Sequence, residues 1–186
     1  MDRMLLAVEK VRDRLIRATE ALNRACIDYA VVGGNAVAVW VARVDVSAVR
    51  NTRDVDLLVR REDFERVKAA LENAGLIYRH VRGLDVFLDE PDAQARDGVH
   101  VVFSLEYVRP GELSPNPDVT ESEDAGTFRV LNLPALVRIK LTAFRDKDRT
   151  HLRDMIDVGL IDDGWLERLP NALADRLKSL LDTPDG

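Results

Sequence analysis

Cysteine is almost missing from this chain. Its single thiol, Cys26, excludes an internal disulfide framework and fits a reducing, cytoplasmic setting. Long apolar runs are missing too. The longest weakly polar run, Tyr29 to Ala42, is too short to cross a bilayer and is broken by Gly33-Gly34-Asn35, so no membrane partner is expected. Met1 to Arg24 mixes charges throughout and lacks the continuous apolar block of an export signal. Aromatic residues make up only 5% of the chain, and the two tryptophans, Trp40 and Trp165, read as core residues rather than base-stacking platforms. An excess of positive charge is absent as well. The net charge of −6 argues against non-specific coating of nucleic acid. Neither an internal repeat nor a low-complexity segment occurs.

What remains is ordinary globular material, with 46% hydrophobic and 32% charged residues in 186 positions. That length supports one substantial core without staples. Apolar residues at helical spacing (Val8, Val11, Leu15, Ala18, Leu22) predict a helix over residues 3–25. Ile27 to Val32 reads as a buried strand, Asn35 to Val41 as a short helix, Asp45 to Arg53 as a polar loop and Asp54 to Val59 as a second strand. Glu62 to Asn73 follows as a helix that stops at Gly75. Strands are expected at Ile77–Val81, Asp85–Leu88, Val99–Phe103 and Thr127–Leu131, with Arg109–Asp124 an irregular, proline-containing loop. The last third is helical: Leu133 to Phe144, Arg149 to Val158 with Asp148 as its cap, and Trp165 to Leu181 interrupted near Pro170. The end, Asp182 to Gly186, is expected to fray. This order implies an α/β (α+β) fold, a mixed sheet flanked by helices. A core over residues 1–131 would carry a packed helical segment over 132–186.

Two features carry chemistry. Asp54 and Asp56 sit two apart on a strand among Val55, Leu57, Leu58 and Val59, so their carboxylates share one face. Like charges placed so repel unless something neutralises them, and a hard divalent cation would do it. Gly33-Gly34 ends the preceding strand where a helix begins, and a helix N-terminus offers free N–H groups to phosphate. Lys140 falls inside the apolar stripe formed by Leu133, Leu136, Val137, Leu141 and Phe144, an unusual place for an amine without a partner. Charge is also uneven: Arg129 to Arg153 holds seven Lys/Arg against two aspartates. In that stretch Asp148 reads as a helix cap and His151 as structural.

Gly33-Gly34-Asn35-Ala36 followed by Arg50-x-Thr52-x-Asp54-x-Asp56 resembles the signature of the DNA polymerase β-like nucleotidyltransferase superfamily. It looks closest to the small bacterial branch that includes AbiEii-type toxins and lies near the aminoglycoside nucleotidyltransferases. The resemblance implies a nucleotidyltransferase-fold sheet. It also implies nucleotide binding by Gly33, Gly34, Asn35, Arg50, Thr52 and Lys140, and metal binding by Asp54 and Asp56. Mg²⁺ or Mn²⁺ would be the cofactor and an NTP the substrate. The acceptor would be a hydroxyl of a protein, an RNA or a small molecule. The resemblance further implies a third carboxylate on a later strand, but the aligned position in Val99–Phe103 holds His100. Imidazole suits Mn²⁺ or Zn²⁺ better than Mg²⁺ and can act as a general base, which adds His100 to the catalytic candidates. Asp85 and Asp97 are the nearby acids that could replace the absent one. The alternative is a weakened nucleotidyltransferase-fold protein that serves as a nucleotide-binding module or as the partner of a cognate toxin or antitoxin.

Overall fold

One sheet with two apolar faces organises the chain. The computed structural model describes residues 3–183, with side chains from Leu6 onward. Helix α1 (Arg3–Arg24) leads into β1 (Tyr29–Val32), α2 (Gly33–Ala42), β2 (Val55–Val59) and α3 (Phe64–Asn73). A hairpin of β3 (Ile77–Val81) and β4 (Leu84–Leu88) follows, then β5 (Val99–Phe103), β6 (Ser122–Asp124) and β7 (Arg129–Leu131). Helices α4 (Leu133–Ala143), α5 (Asp146–Asp157) and α6 (Asn171–Leu181) close the described chain. The seven strands lie in the order β3-β4-β5-β2-β1-β7-β6. The β2–β5 and β1–β7 pairs are parallel and the other four antiparallel, so the sheet is mixed.

The two-residue period of the central strands sends alternate side chains to opposite cores. Val55, Leu57 and Val59 of β2 join Val99 and Val101 of β5 against Leu15, Ala18 and Leu22 of α1 and Val67 and Leu71 of α3. On the other face Ala30, Val32, Leu58 and Val130 meet Leu136 and Leu141 of α4, Leu152 and Met155 of α5 and Leu173 and Leu177 of α6. Each fully buried leucine of these sets contributes about 1.5–3 kcal/mol. Trp40 and Trp165 pack against the second core, and Trp40 Nε1 donates to the Leu131 carbonyl at 3.1 Å.

Several boundaries move from their sequence-based positions. The second strand begins at Val55, leaving Asp54 at its entrance, and α2 starts at Gly33 rather than Asn35. Helix α5 starts at Asp146, so Asp148 is not its cap but an inward-facing residue of its first turn. Trp165 belongs to a 3₁₀ segment, Asp163–Arg168, separated from α6 by Pro170. The short strand β6 lies within the stretch expected to be loop; it exists by pairing Ser122, Glu123 and Asp124 with β7. The expected frayed end falls partly outside the described residues, which stop at Thr183. No described helix is long and apolar enough to cross a membrane.

Helix α4 starts on the Asn132 side chain, which accepts from the Ala135 N–H at 3.0 Å, and ends at Phe144 in the left-handed region, φ 48°. Two residues later α5 begins, and the turn brings its first residues to the start of β2.

Candidate active site

The register of β1 on β2 sets Val32 opposite Asp56, so the chain leaves β1 beside a carboxylate. Gly33 then turns with φ +66° to begin α2, and a Cβ there would lie 1.9 Å from Asp56 Oδ2. Any side chain at 33 would collide with the acid, which explains a glycine at this point. Val32, the residue before the helix, supplies no side-chain cap. The first-turn N–H groups of α2, with the positive end of its dipole, therefore stand beside Asp56. Gly34 is buried against Thr52 and His151, and Asn35 Nδ2 donates to the Asp54 carbonyl at 2.8 Å, tying the helix to the entrance of β2.

Asp54 accepts from Thr52 Oγ1 at 2.6 Å and from Lys147 Nζ at 3.2 and 3.1 Å. Burial alone would raise its pKa, but the hydroxyl and the ammonium outweigh burial and hold it below the usual carboxylate value. Asp56 faces His100 across the parallel β2–β5 pair, with His100 Nδ1 3.3 Å from Asp56 Oδ1. His100 Nε2 lies 2.7 Å from the Ala95 carbonyl oxygen. The hydrogen bond to Asp56, opposed by burial and aided by the Ala95 carbonyl, raises the pKa of the ring. Asp54, Asp56 and His100 each offer a donor atom within 4.8 Å of the others, the one such group of metal-type donors among the described residues.

Other expected residues lie around this centre. Arg50 Nε meets both oxygens of Asp154 at 2.8 Å, linking the loop before β2 to α5. Lys140 is buried, with Nζ on Asp148 Oδ1 at 2.9 Å, and points into the molecule rather than to the acid pair. Arg145 Nε completes that network on Asp148 Oδ2 at 2.8 Å while its side chain stays largely exposed. His151 is buried; desolvation, then the charges of Lys140 and Lys147, press its pKa to about 4, so the ring is neutral. Asp85 is held by Tyr78 and His80 on the other face, and Asp97 lines a groove beside α1. Neither acid belongs to the donor group, so His100 takes the third position itself.

The amine that reaches the acids, Lys147, was missed by sequence reasoning. Its signal was the run of basic residues between Arg129 and Arg153, which placed positive charge near the site without saying which side chain would arrive. Two carboxylates and an imidazole nitrogen are a chemically suitable set for a divalent cation; Asp56 and His100 are held from adjacent strands, and Asp54 is the residue that leads into β2.

A mixed sheet flanked by helices in this way is a fold found among solved nucleotidyltransferases. The antibiotic-resistance factor ANT(2'')-Ia shares this fold at TM-score 0.57 and 13% identity, over 95% of this chain and 93% of that one. An antigenic nucleotidyltransferase-like protein from Paracoccidioides brasiliensis does so at TM-score 0.57 and 15% identity, over 95% and 89%. The family model described as uncharacterised nucleotidyltransferase matches residues 5–126, well over half of the chain, and the chain belongs to that family. No curated protein matches it.

Proposed function

We propose that this protein is a metal-dependent nucleotidyltransferase that moves a nucleoside monophosphate from an NTP to a hydroxyl of a protein, an RNA or a small molecule. One observation carries the reading: Asp56 lies against Gly33 at the open end of α2 while sharing a donor cluster with Asp54 and His100. A phosphate cradle and a cation site therefore meet at one carboxylate.

In this reading the N–H groups of α2 at Gly33, Gly34 and Asn35 receive the phosphates. Asp54, Asp56 and His100 would hold the divalent ion, Mg²⁺ or Mn²⁺, which when bound neutralises charge on the reacting phosphoryl oxygens. The acceptor hydroxyl gives up its proton to water as its oxygen bonds to the α-phosphorus and the bond to the departing pyrophosphate breaks. Lys147, exposed and already beside Asp54, is suited to pair with the departing polyphosphate, with Arg145 next to it. Thr52 orients Asp54, and Arg50 braces the loop on Asp154. Lys140 supports the site from beneath through Asp148. The Ala95 carbonyl fixes one nitrogen of His100 and leaves Nδ1, on the Asp56 side, as the nitrogen that would meet the cation once it gives up the proton shared with Asp56.

The test is transfer of label from α-labelled NTPs, with Mg²⁺ or Mn²⁺, into pools of protein, RNA and small hydroxyl compounds. Label should move with the wild-type chain and fall by about 10³-fold or more in Asp56→Ala. Absence of both metal-dependent nucleotide binding and transfer in every pool would overturn the reading.

A further inference from the structure

We propose that the Asp54–Asp56–His100 cluster selects a borderline divalent ion of the Mn²⁺, Co²⁺ or Zn²⁺ kind over Mg²⁺, and that His100 Nδ1 is the selecting donor. This deepens the transferase reading and rests on it for the purpose of the cluster.

The orientation of the ring supports the proposal first. A backbone carbonyl can only accept, so the 2.7 Å contact between His100 Nε2 and the Ala95 oxygen puts a proton on Nε2. The other nitrogen, Nδ1, is the atom turned toward Asp56, 3.3 Å away, and a bound cation would replace the proton that it shares with that carboxylate. A ring anchored through one nitrogen on a carbonyl, with the other nitrogen among carboxylates, is the arrangement of metal-ligating histidines.

That anchor is itself fixed. Ala95 opens the short 3₁₀ turn Ala95–Asp97, and its oxygen also accepts from the Gly98 N–H at 3.3 Å. Gly98 lies so close to β4 that a Cβ on it would come within 2.8 Å of the Phe87 carbonyl oxygen. The Gly98 carbonyl in turn accepts from the Val55 N–H at 3.1 Å, joining the turn to the entrance of β2. The carbonyl, the ring and the acids thus belong to one frame.

The donor chemistry follows. Mg²⁺ favours an octahedral shell of oxygen atoms and sheds water reluctantly, whereas imidazole nitrogen suits the borderline ions. Asp85 and Asp97, the neighbouring acids that would restore an all-oxygen set, stand outside the cluster. The parallel register of Asp56 with His100 keeps the ring where a third carboxylate would otherwise be.

The experiment measures metal binding to the full chain without nucleotide. Free Mn²⁺ is followed by electron paramagnetic resonance, with Mg²⁺ as competitor, for the wild type and His100→Asp. In parallel, the ¹⁵N resonances of the histidine side chains are followed as Zn²⁺ is added to the wild type. The Mn²⁺ to Mg²⁺ affinity ratio should fall by about tenfold or more in His100→Asp, and the His100 Nδ1 resonance should shift on Zn²⁺ binding. An unchanged ratio, an undisturbed Nδ1 resonance or absence of metal binding would each overturn the proposal; the resonance decides the matter even if the variant does not fold. Metal selection that survives alongside failed nucleotide transfer would count against the transferase reading alone. Transfer that proceeds equally well with an unchanged ion preference in His100→Asp would count against this proposal alone.

Discussion

Gly33 and Lys147 mark the two sides of the acid pair. At Gly33 the backbone has φ +66° and a Cβ would overlap Asp56 Oδ2, so Gly33→Ala must displace either the helix start or the acid. The variant should lose about 1–3 kcal/mol in a denaturant titration and should bind divalent ions more weakly. An unchanged midpoint with unchanged metal binding would show that the helix start does not press on the carboxylate. Lys147 stands on Asp54 from the first turn of α5, with half of its side chain exposed. Removing its charge in Lys147→Met should weaken NTP binding by about tenfold, as loss of one charge-assisted phosphate contact does, with little effect on folding. Equal nucleotide affinity in the two proteins would exclude Lys147 from the phosphate site.

The start of α5 explains what could and could not be read at the level of elements. Asp148 suits both a cap position and the third residue of a helix, and local sequence does not separate the two. Placing the start three residues late left Lys147 outside the helix and made Asp148 its cap. The lysine signal at 140 was sound about burial, since an amine inside an apolar stripe needs a partner, and the partner is Asp148, which the sequence did not point to. By contrast, the strand period that set Asp54 beside Asp56 was legible, and the family resemblance pointed to the position of His100, which the parallel register places opposite Asp56. Strand β6 was not legible: Ser122, Glu123 and Asp124 carry no apolar alternation, and the pairing depends on β7.

The same network yields a prediction in pH. Burial alone would raise the pKa of Asp148, but the Lys140 and Arg145 charges and hydrogen bonds outweigh it and leave the pKa depressed. A depressed folded pKa means stability that is fully present above the ordinary carboxylate value and lost as pH falls through the folded value. Asp148→Ala should therefore cost about 3–5 kcal/mol near neutral pH by leaving Lys140 buried without its partner. The difference from wild type should shrink as the pH is lowered into that acidic window. A difference that is constant across pH would rule out the ion pair as its source.

Across the whole molecule, the helices after β7, together with α2, cover the part of one sheet face formed by β1, β2 and β7. Ala30, Val32, Leu58 and Val130 are buried there by residues of α4, α5 and α6. We propose residues 1–131 and 132–186 as a core and an attached helical segment, and predict that the attached segment is required for folding. A chain ending at Leu131 should aggregate or lack the dispersed amide spectrum of the full protein, because an apolar sheet face would be open to water. A well-dispersed spectrum from residues 1–131 would show that the core stands alone.

The central claim is that a phosphate cradle and a cation site share Asp56. Calorimetric titration with a non-hydrolysable NTP analogue tests it most directly, with and without Mn²⁺, on the wild type and on folded Asp56→Ala. The wild type should bind the analogue tightly only when the ion is present, and Asp56→Ala should lose that ion-dependent binding. Equal binding by both proteins, with or without the ion, would contradict the account.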